Sequence, residues 1–196
     1  MSIDKLAETR IPTVHGEFQM LAFTSEFSEF PHLAMVSGEI DSNDVINVRI
    51  HSECMTGDVF GSVRCDCGEQ LDTSMDFFGQ NGGVLLYLRQ EGRGIGLVNK
   101  MKAYNFQDEG MDTIKANHAL GFHTDLRDFT PAIEMLKAMG ISRINLFTNN
   151  PEKVASFETS GIEVVERKAL EIDPRKENEA YLRAKLEGMG HFLQKL

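Results

Sequence analysis

The spacing of apolar and polar side chains changes character once along the chain, near residue 68. Before it the periods are short. Residues 13–23 turn around Gly16, His32–Ser37 is a compact apolar run, and residues 45–51 alternate through Val48 and Ile50. These read as strands. After it, helical and strand periods take turns. Leu71, Met75 and Phe78 recur at helical spacing until Gln80-Asn81-Gly82-Gly83 stops them, and residues 84–88 follow as an unbroken apolar strand. A glycine-rich turn, Glu91-Gly92-Arg93-Gly94-Ile95-Gly96, then leads into a helix reaching about Gln107. Thr130-Pro131 opens another helix, with Ile133, Leu136 and Met139 on one face and Gly140 at its end. A strand over 144–147, a helix over 151–159, a strand over 162–166 and a last helix over 177–187 complete the reading. The fold class is therefore mixed α/β (α+β): a β-rich N-terminal part followed by alternating helices and strands, in one domain over residues 1–196.

Composition narrows what such a chain can do. Of 196 residues, 41% are hydrophobic and 26% charged, and Trp is absent, so the chain is globular in composition and has no indole to stack on a base. The net charge of −10 argues against holding nucleic acid or an anionic membrane by general electrostatics. That deficit is uneven, because the first sixty residues carry ten carboxylates against three basic side chains. The start, with acidic residues and no apolar stretch, reads as neither signal nor transit peptide, and the expected location is the cytoplasm.

All three cysteines fall within residues 54–67, in the spacing C-x10-C-x-C. An odd set this dense is no disulfide framework. Thiolates are soft ligands suited to zinc, and three of them leave a coordination position for water. A closed site completed by His51, or buried thiols without metal, are the other readings open at this point. Residues 89–102 hold Arg89, Arg93, Lys100 and Lys102 against Glu91, a local charge of +3. Glycines that let N–H groups approach an oxyanion, beside a helix start and a guanidinium, suit phosphate. The spacing matches neither standard nucleotide loop. Asp125-Leu126-Arg127 sets a carboxylate two residues before a guanidinium, as a base beside a clamp or as a surface ion pair. Thr148-Asn149-Asn150-Pro151 follows a strand and opens a helix.

Taken together, Arg49-Ile50-His51-Ser52-Glu53-Cys54, Gly57-Asp58, Arg64-Cys65-Asp66-Cys67-Gly68, Arg89-Gln90-Glu91-Gly92-Arg93-Gly94-Ile95-Gly96-Leu97, Ala116-Asn117-His118, Thr148-Asn149-Asn150-Pro151 and Met189-Gly190-His191 resemble the GTP cyclohydrolase II family. The resemblance implies a zinc-dependent homodimer, also using magnesium, that converts GTP to formate, pyrophosphate and a diaminopyrimidine at the first committed step of riboflavin synthesis. It implies zinc on Cys54, Cys65 and Cys67. It implies GTP contacts at Arg49, Ile50, His51, Ser52, Glu53, Gln70, Glu91, Gly92, Arg93, Thr113, Thr148 and Lys153. Asp125 falls on the family's proton acceptor, Arg127 on its catalytic arginine, and Tyr104 on a tyrosine near the ring that is opened. One departure is Ala184, where the family often has threonine before the lysine of Tyr181-Leu182-Arg183-Ala184-Lys185; it leaves the role of the last helix open. A zinc-stabilised nucleotide-binding module, and a related enzyme that retains the formyl group, remain as alternatives.

Overall fold

The computed structural model describes residues 3–25, 29–41 and 43–196. Within it the chain divides into two compact units. The first comprises Met1–His51, Leu71–Arg89 and Asp128–Leu170, and the second Ser52–Gln70, Gln90–Arg127 and Glu171–Leu196.

The first unit is built on one sheet. Strands β1 (Lys5–Thr13), β2 (Gly16–Phe23), β3 (His32–Ser37), β4 (Ile46–Ser52), β5 (Gly83–Leu88), β6 (Arg143–Phe147) and β7 (Glu163–Lys168) lie in the order β1-β2-β3-β5-β4-β6-β7. The β1-β2, β2-β3 and β3-β5 pairs are antiparallel, while β4-β6 and β6-β7 are parallel. Parallel neighbours need long crossovers, which is why helices enter the sequence only in its later part.

Strand β5 shows how the sheet reads from its sequence. Val84, Leu86 and Leu88 join one cluster of buried side chains, and Leu85 joins another, as the two-residue period of a pleated strand requires. Both faces are covered, so the strand is apolar without interruption. Helix α5 (Thr130–Ala138) supplies Ala132, Ile133, Met135 and Leu136 to the first cluster. Helix α2 (Cys67–Asn81), whose residues from Leu71 onward belong to this unit, supplies Met75 and Phe78 to the second. Gly79 on α2 has a specific cause: a Cβ there would lie 1.8 Å from the His15 carbonyl oxygen in the β1-β2 turn. A short helix, α6 (Pro151–Ala155), ends earlier than the spacing suggests, in a run of turn residues.

The second unit holds α1 (Met55–Asp58), a 3₁₀ turn over Glu91–Gly94, α3 (Gly96–Asp108), α4 (Thr113–Ala119) and α7 (Glu179–Met189). The α4 helix is absent from the sequence reading, and α7 lies two residues later than expected. Gly190 ends α7 in the left-handed conformation, with φ of 62°. Among the described residues no helix is long and apolar enough to cross a membrane.

Candidate functional site

The three cysteines of the second unit converge. Their Sγ atoms lie within 4.8 Å of one another, with Cys54 and Cys65 at 3.6 Å, and among the described residues no histidine or carboxylate joins them. His51, a possible fourth ligand from its spacing, stacks on Tyr87 in the first unit, with centroids 5.5 Å apart. Local backbone geometry gathers the sulfurs. Cys54 precedes α1 and its N–H donates to Asp58 Oδ2 at 2.9 Å. Gly57 passes close beneath: a Cβ there would lie 3.2 Å from Cys65 Sγ and 3.3 Å from Cys54 Sγ. A Cβ at Gly68 would lie 2.4 Å from the Gly57 carbonyl oxygen. Both glycines are required for the cysteine loops to close on each other.

The electrostatics of the cluster are those of one shared negative charge. Hydrogen bonds from the Cys65 and Cys67 thiols, together with the Lys100 ammonium, hold the Cys54 thiol far below its ordinary range. The Cys54 thiolate in turn pushes Cys65 up to about 11 and Cys67 well above the ordinary thiol value. Lys100 Nζ donates to Cys54 Sγ at 3.0 Å and to Glu91 Oε1 at 2.9 Å. Burial opposes its charge, but the Cys54 thiolate and Glu91 outweigh that and keep it protonated. Three soft donors at this separation fit a thiophilic divalent ion, which would deprotonate all three.

Around this cluster the unit places several expected site residues. Tyr104 Oη lies 3.5 Å from Thr56 Oγ1, and burial raises its pKa, so the phenol stays protonated at neutral pH. Glu91 has both oxygens engaged: Oε2 accepts from Met55 N at 2.6 Å, and Oε1 from Gly92 N at 2.7 Å as well as from Lys100. Gln70 donates to Asp66 Oδ2 at 2.6 Å. Thr113 is buried at the start of α4, behind the Asp112 cap.

Gly92 and Arg93 both take left-handed backbone, with φ of 62° and 61°, and Arg93 is the one non-glycine among the described residues to do so. The Arg93 carbonyl accepts from Leu126 N at 3.1 Å, which ties the turn to the Asp125–Arg127 segment. Its guanidinium lies over the Tyr181 ring, and Nη1 and Nη2 are buried without a hydrogen-bond partner. Unsatisfied guanidinium nitrogens are costly and fit an anionic ligand. Asp125 Oδ1 accepts from Arg127 N at 3.0 Å and Nε at 2.9 Å, and Oδ2 from Arg127 Nη2. Both side chains are largely buried, so the surface-pair reading fails. Although burial pulls upward, Arg127 holds the Asp125 carboxyl below its ordinary range.

In the first unit, Arg49 Nη1 donates to the Phe147 carbonyl at 3.0 Å, and Lys153 Nζ to the Ile50 carbonyl at 2.7 Å. Thr148 Oγ1 accepts from Asn150 N at 3.0 Å, and Asn150 caps α6 by accepting from Glu152 N. Ser52 and Glu53 continue from β4 into the second unit, where Ser52 Oγ is buried without a partner.

Two participants escaped the sequence reading. Lys100 counted only toward a positive stretch, yet its charge is taken up inside the cluster. Lys185 lies 119 residues from Asp66 and meets it at 2.7 Å. The departure at Ala184, just before it, gives no sign of this pairing.

Comparison with known proteins places this geometry. Curated relatives called riboflavin biosynthesis protein RibBA are 47% identical over 192 residues in Chlorobium phaeovibrioides and 47% over 195 in Endomicrobium trichonymphae. They cover 97% and 99% of this chain but 47% and 48% of the relatives, so the chain spans about half the length of the curated relatives it matches. A crystal structure of RibBX, a two-domain 3,4-dihydroxy-2-butanone 4-phosphate synthase from A. baumannii, aligns with a TM-score of 0.48 at 16% identity. It covers 86% of this chain and 41% of that one, too distant a likeness to bear on the fold. The family profile described as GTP cyclohydrolase II matches residues 4–169, and with the cysteine cluster, the Arg93 turn and the Asp125–Arg127 pair in place, the chain belongs to the GTP cyclohydrolase II family.

Proposed function

We propose that the protein hydrolyses GTP to formate, pyrophosphate and 2,5-diamino-6-hydroxy-4-(5-phosphoribosylamino)pyrimidine. In this reading it is a cytoplasmic homodimer, with one zinc ion per subunit on Cys54, Cys65 and Cys67 and magnesium accompanying the triphosphate. The observation that carries it is the convergence of three thiols in a member of this family. Three protein ligands are the usual count of a catalytic zinc, and four that of a structural one. When bound, zinc supplies the Lewis acidity that makes water nucleophilic near neutral pH.

The chain's own residues divide the remaining work. Lys100 offsets the thiolate charge that would otherwise weaken that acidity. Tyr104, kept protonated by burial, is a donor for the opened ring. Arg93, Arg127 and Lys153 supply cationic charge for the phosphates. Asp125 grips Arg127 through its backbone N–H, Nε and Nη2, an arrangement that stabilises a charged guanidinium. This favours Arg127 as an electrostatic clamp over a covalent nucleophile, because guanidinium is not deprotonated in proteins. For the guanine edge, Glu53 and Glu91 are the two carboxylates in this reading, and Glu91 already accepts from Met55 N and Gly92 N.

Incubation with GTP and magnesium tests the whole reading. The expected result is formate and pyrophosphate in equal amounts, with growth of the diaminopyrimidine chromophore. Pyrophosphate without formate would support the formyl-retaining reaction, and GTP binding without either product a non-catalytic module. Rapid quench followed by peptide mapping should find no guanylylated Arg127; a trapped adduct would overturn the clamp.

A further inference from the structure

The family match stops at residue 169, yet Glu171–Leu196 belongs to the same compact unit as the three cysteines. One side chain from this segment reaches the cysteine loop. Asp66 sits between Cys65 and Cys67 with its side chain 3% exposed, and so adds a carboxylate beside a cluster that already carries negative charge. A buried charge of that sign is tolerated only when it is paired and hydrogen-bonded. Lys185 Nζ meets Asp66 Oδ1 at 2.7 Å, and Gln70 Nε2 meets Oδ2 at 2.6 Å.

The lysine is itself held in place. Its ammonium lies 4.3 Å from the centroid of the Tyr181 ring, one turn earlier on α7, and its carbonyl accepts the His191 N–H at 3.1 Å beyond the Gly190 cap. Just before the helix, Arg175 Nη2 bonds Glu69 Oε1 at 2.5 Å, two residues past Cys67. The helix is thus fastened at both ends, and its lysine is aimed at the residue between two sulfurs.

We propose that Lys185 is a positioning residue for the metal centre: through Asp66 it holds the Cys65-Asp66-Cys67 turn in the shape that presents both sulfurs to one ion. The inference rests on the zinc reading above. Loss of the ammonium takes a countercharge from a buried carboxylate that keeps its hydrogen bond from Gln70, and the turn relieves this by moving, which takes Cys65 and Cys67 with it. Partners of metal ligands typically alter metal affinity by about 10- to 100-fold when removed.

Competition of the zinc-loaded protein against a chelator, with cobalt substitution to read the sulfur-to-metal charge-transfer band, tests this directly. Lys185→Met is expected to lose zinc about 10- to 100-fold more readily than the parent and to weaken the band. Lys185→Arg is expected to restore most of both, and Arg183→Met, an exposed change on the same helix, to alter neither. Asp66→Asn should reproduce the loss. The double variant should be no worse than the poorer single, because both act through one contact. Asp66→Asn and Lys185→Arg carry the test if Lys185→Met does not fold. Parental zinc retention in a folded Lys185→Met or Asp66→Asn overturns the proposal while leaving the zinc reading intact. A parent protein with no thiolate-to-cobalt band overturns both.

Discussion

Both clusters of buried apolar side chains fall within the first unit, where Phe18, Phe78, Leu86, Leu136 and Ile144 are almost fully enclosed around the sheet. The second unit encloses different material: Asp66 with Lys185, Glu91 with Lys100, Asp125 with Arg127, and the cysteine cluster, of which Cys54 and Cys65 are buried and Cys67 half-buried. The contrast separates two ways of being stable. Apolar burial is non-directional and tolerates modest rearrangement. Buried charge pairs stabilise only when complete, and removing one member is worse than never having had the pair. The first unit is therefore a scaffold in the ordinary sense, while the second depends on its ion pairs and on the ion its thiols would bind.

Four experiments break or sharpen this contrast. The largest effect should be functional: Cys54→Ser is expected to lower formate release by at least about 10³-fold, the scale of removing a Lewis acid. Some pyrophosphate release should remain if Arg93, Arg127 and Lys153 serve the phosphates as proposed; parallel assays of both products on a folded, GTP-binding variant check this. Equal loss of both would end the division of labour. In the first unit, Phe78→Ala should cost about 3–5 kcal/mol in denaturant unfolding, with no change in metal content at low denaturant. In the second unit, Gly68→Ala forces a Cβ against the Gly57 carbonyl. It should cost about 1–3 kcal/mol and accelerate hydrogen exchange in Gln90–Arg127 while leaving the strands of the first unit protected. Uniform exchange across both units would erase the distinction.

The smallest effect is a pH dependence. Burial first, then the charges of Lys185, Arg127 and Arg93, push His191 down to about 3. Its folded pKa is below its unfolded value, so the unfolded chain binds the extra proton. Stability is fully present above about pH 6.5 and falls as pH drops toward 3. From pH 6.5 to 5 the loss should be about 1.6 kcal/mol, and His191→Gln should flatten that slope. Asp125, held below the ordinary carboxylate range, loses its contribution only at still lower pH, so it does not confuse the window. An unchanged slope in the variant would show that His191 is not the group responsible.

What could be read from the sequence follows the same divide. The strands of the first unit were visible because a pleated surface with covered faces writes its periodicity into β3 and β5. Strand β1 was not, since Lys5–Thr13 is an exposed edge whose residues are free of that constraint. The cysteine spacing announced a ligand set because three thiols within fourteen residues have few other uses. Nothing local announced Lys100 or Lys185. An isolated lysine looks the same in sequence whether it faces water or a buried acid, and only the tertiary fold pairs it. Helix α4 was missed for a related reason: at seven residues it is about two turns long with no sustained apolar stripe.

The left-handed backbone at Arg93 sets two kinds of selection against each other. Any residue with a Cβ is strained there by about 1–2 kcal/mol, and glycine, which relieves it, has no guanidinium. A library screened for heat resistance alone would be drawn to Arg93→Gly as a gain, and would discard the two unpaired nitrogens best suited to take a phosphate. Screening on turnover would hold the arginine. Which residue survives at this position therefore reports what the protein was selected to do.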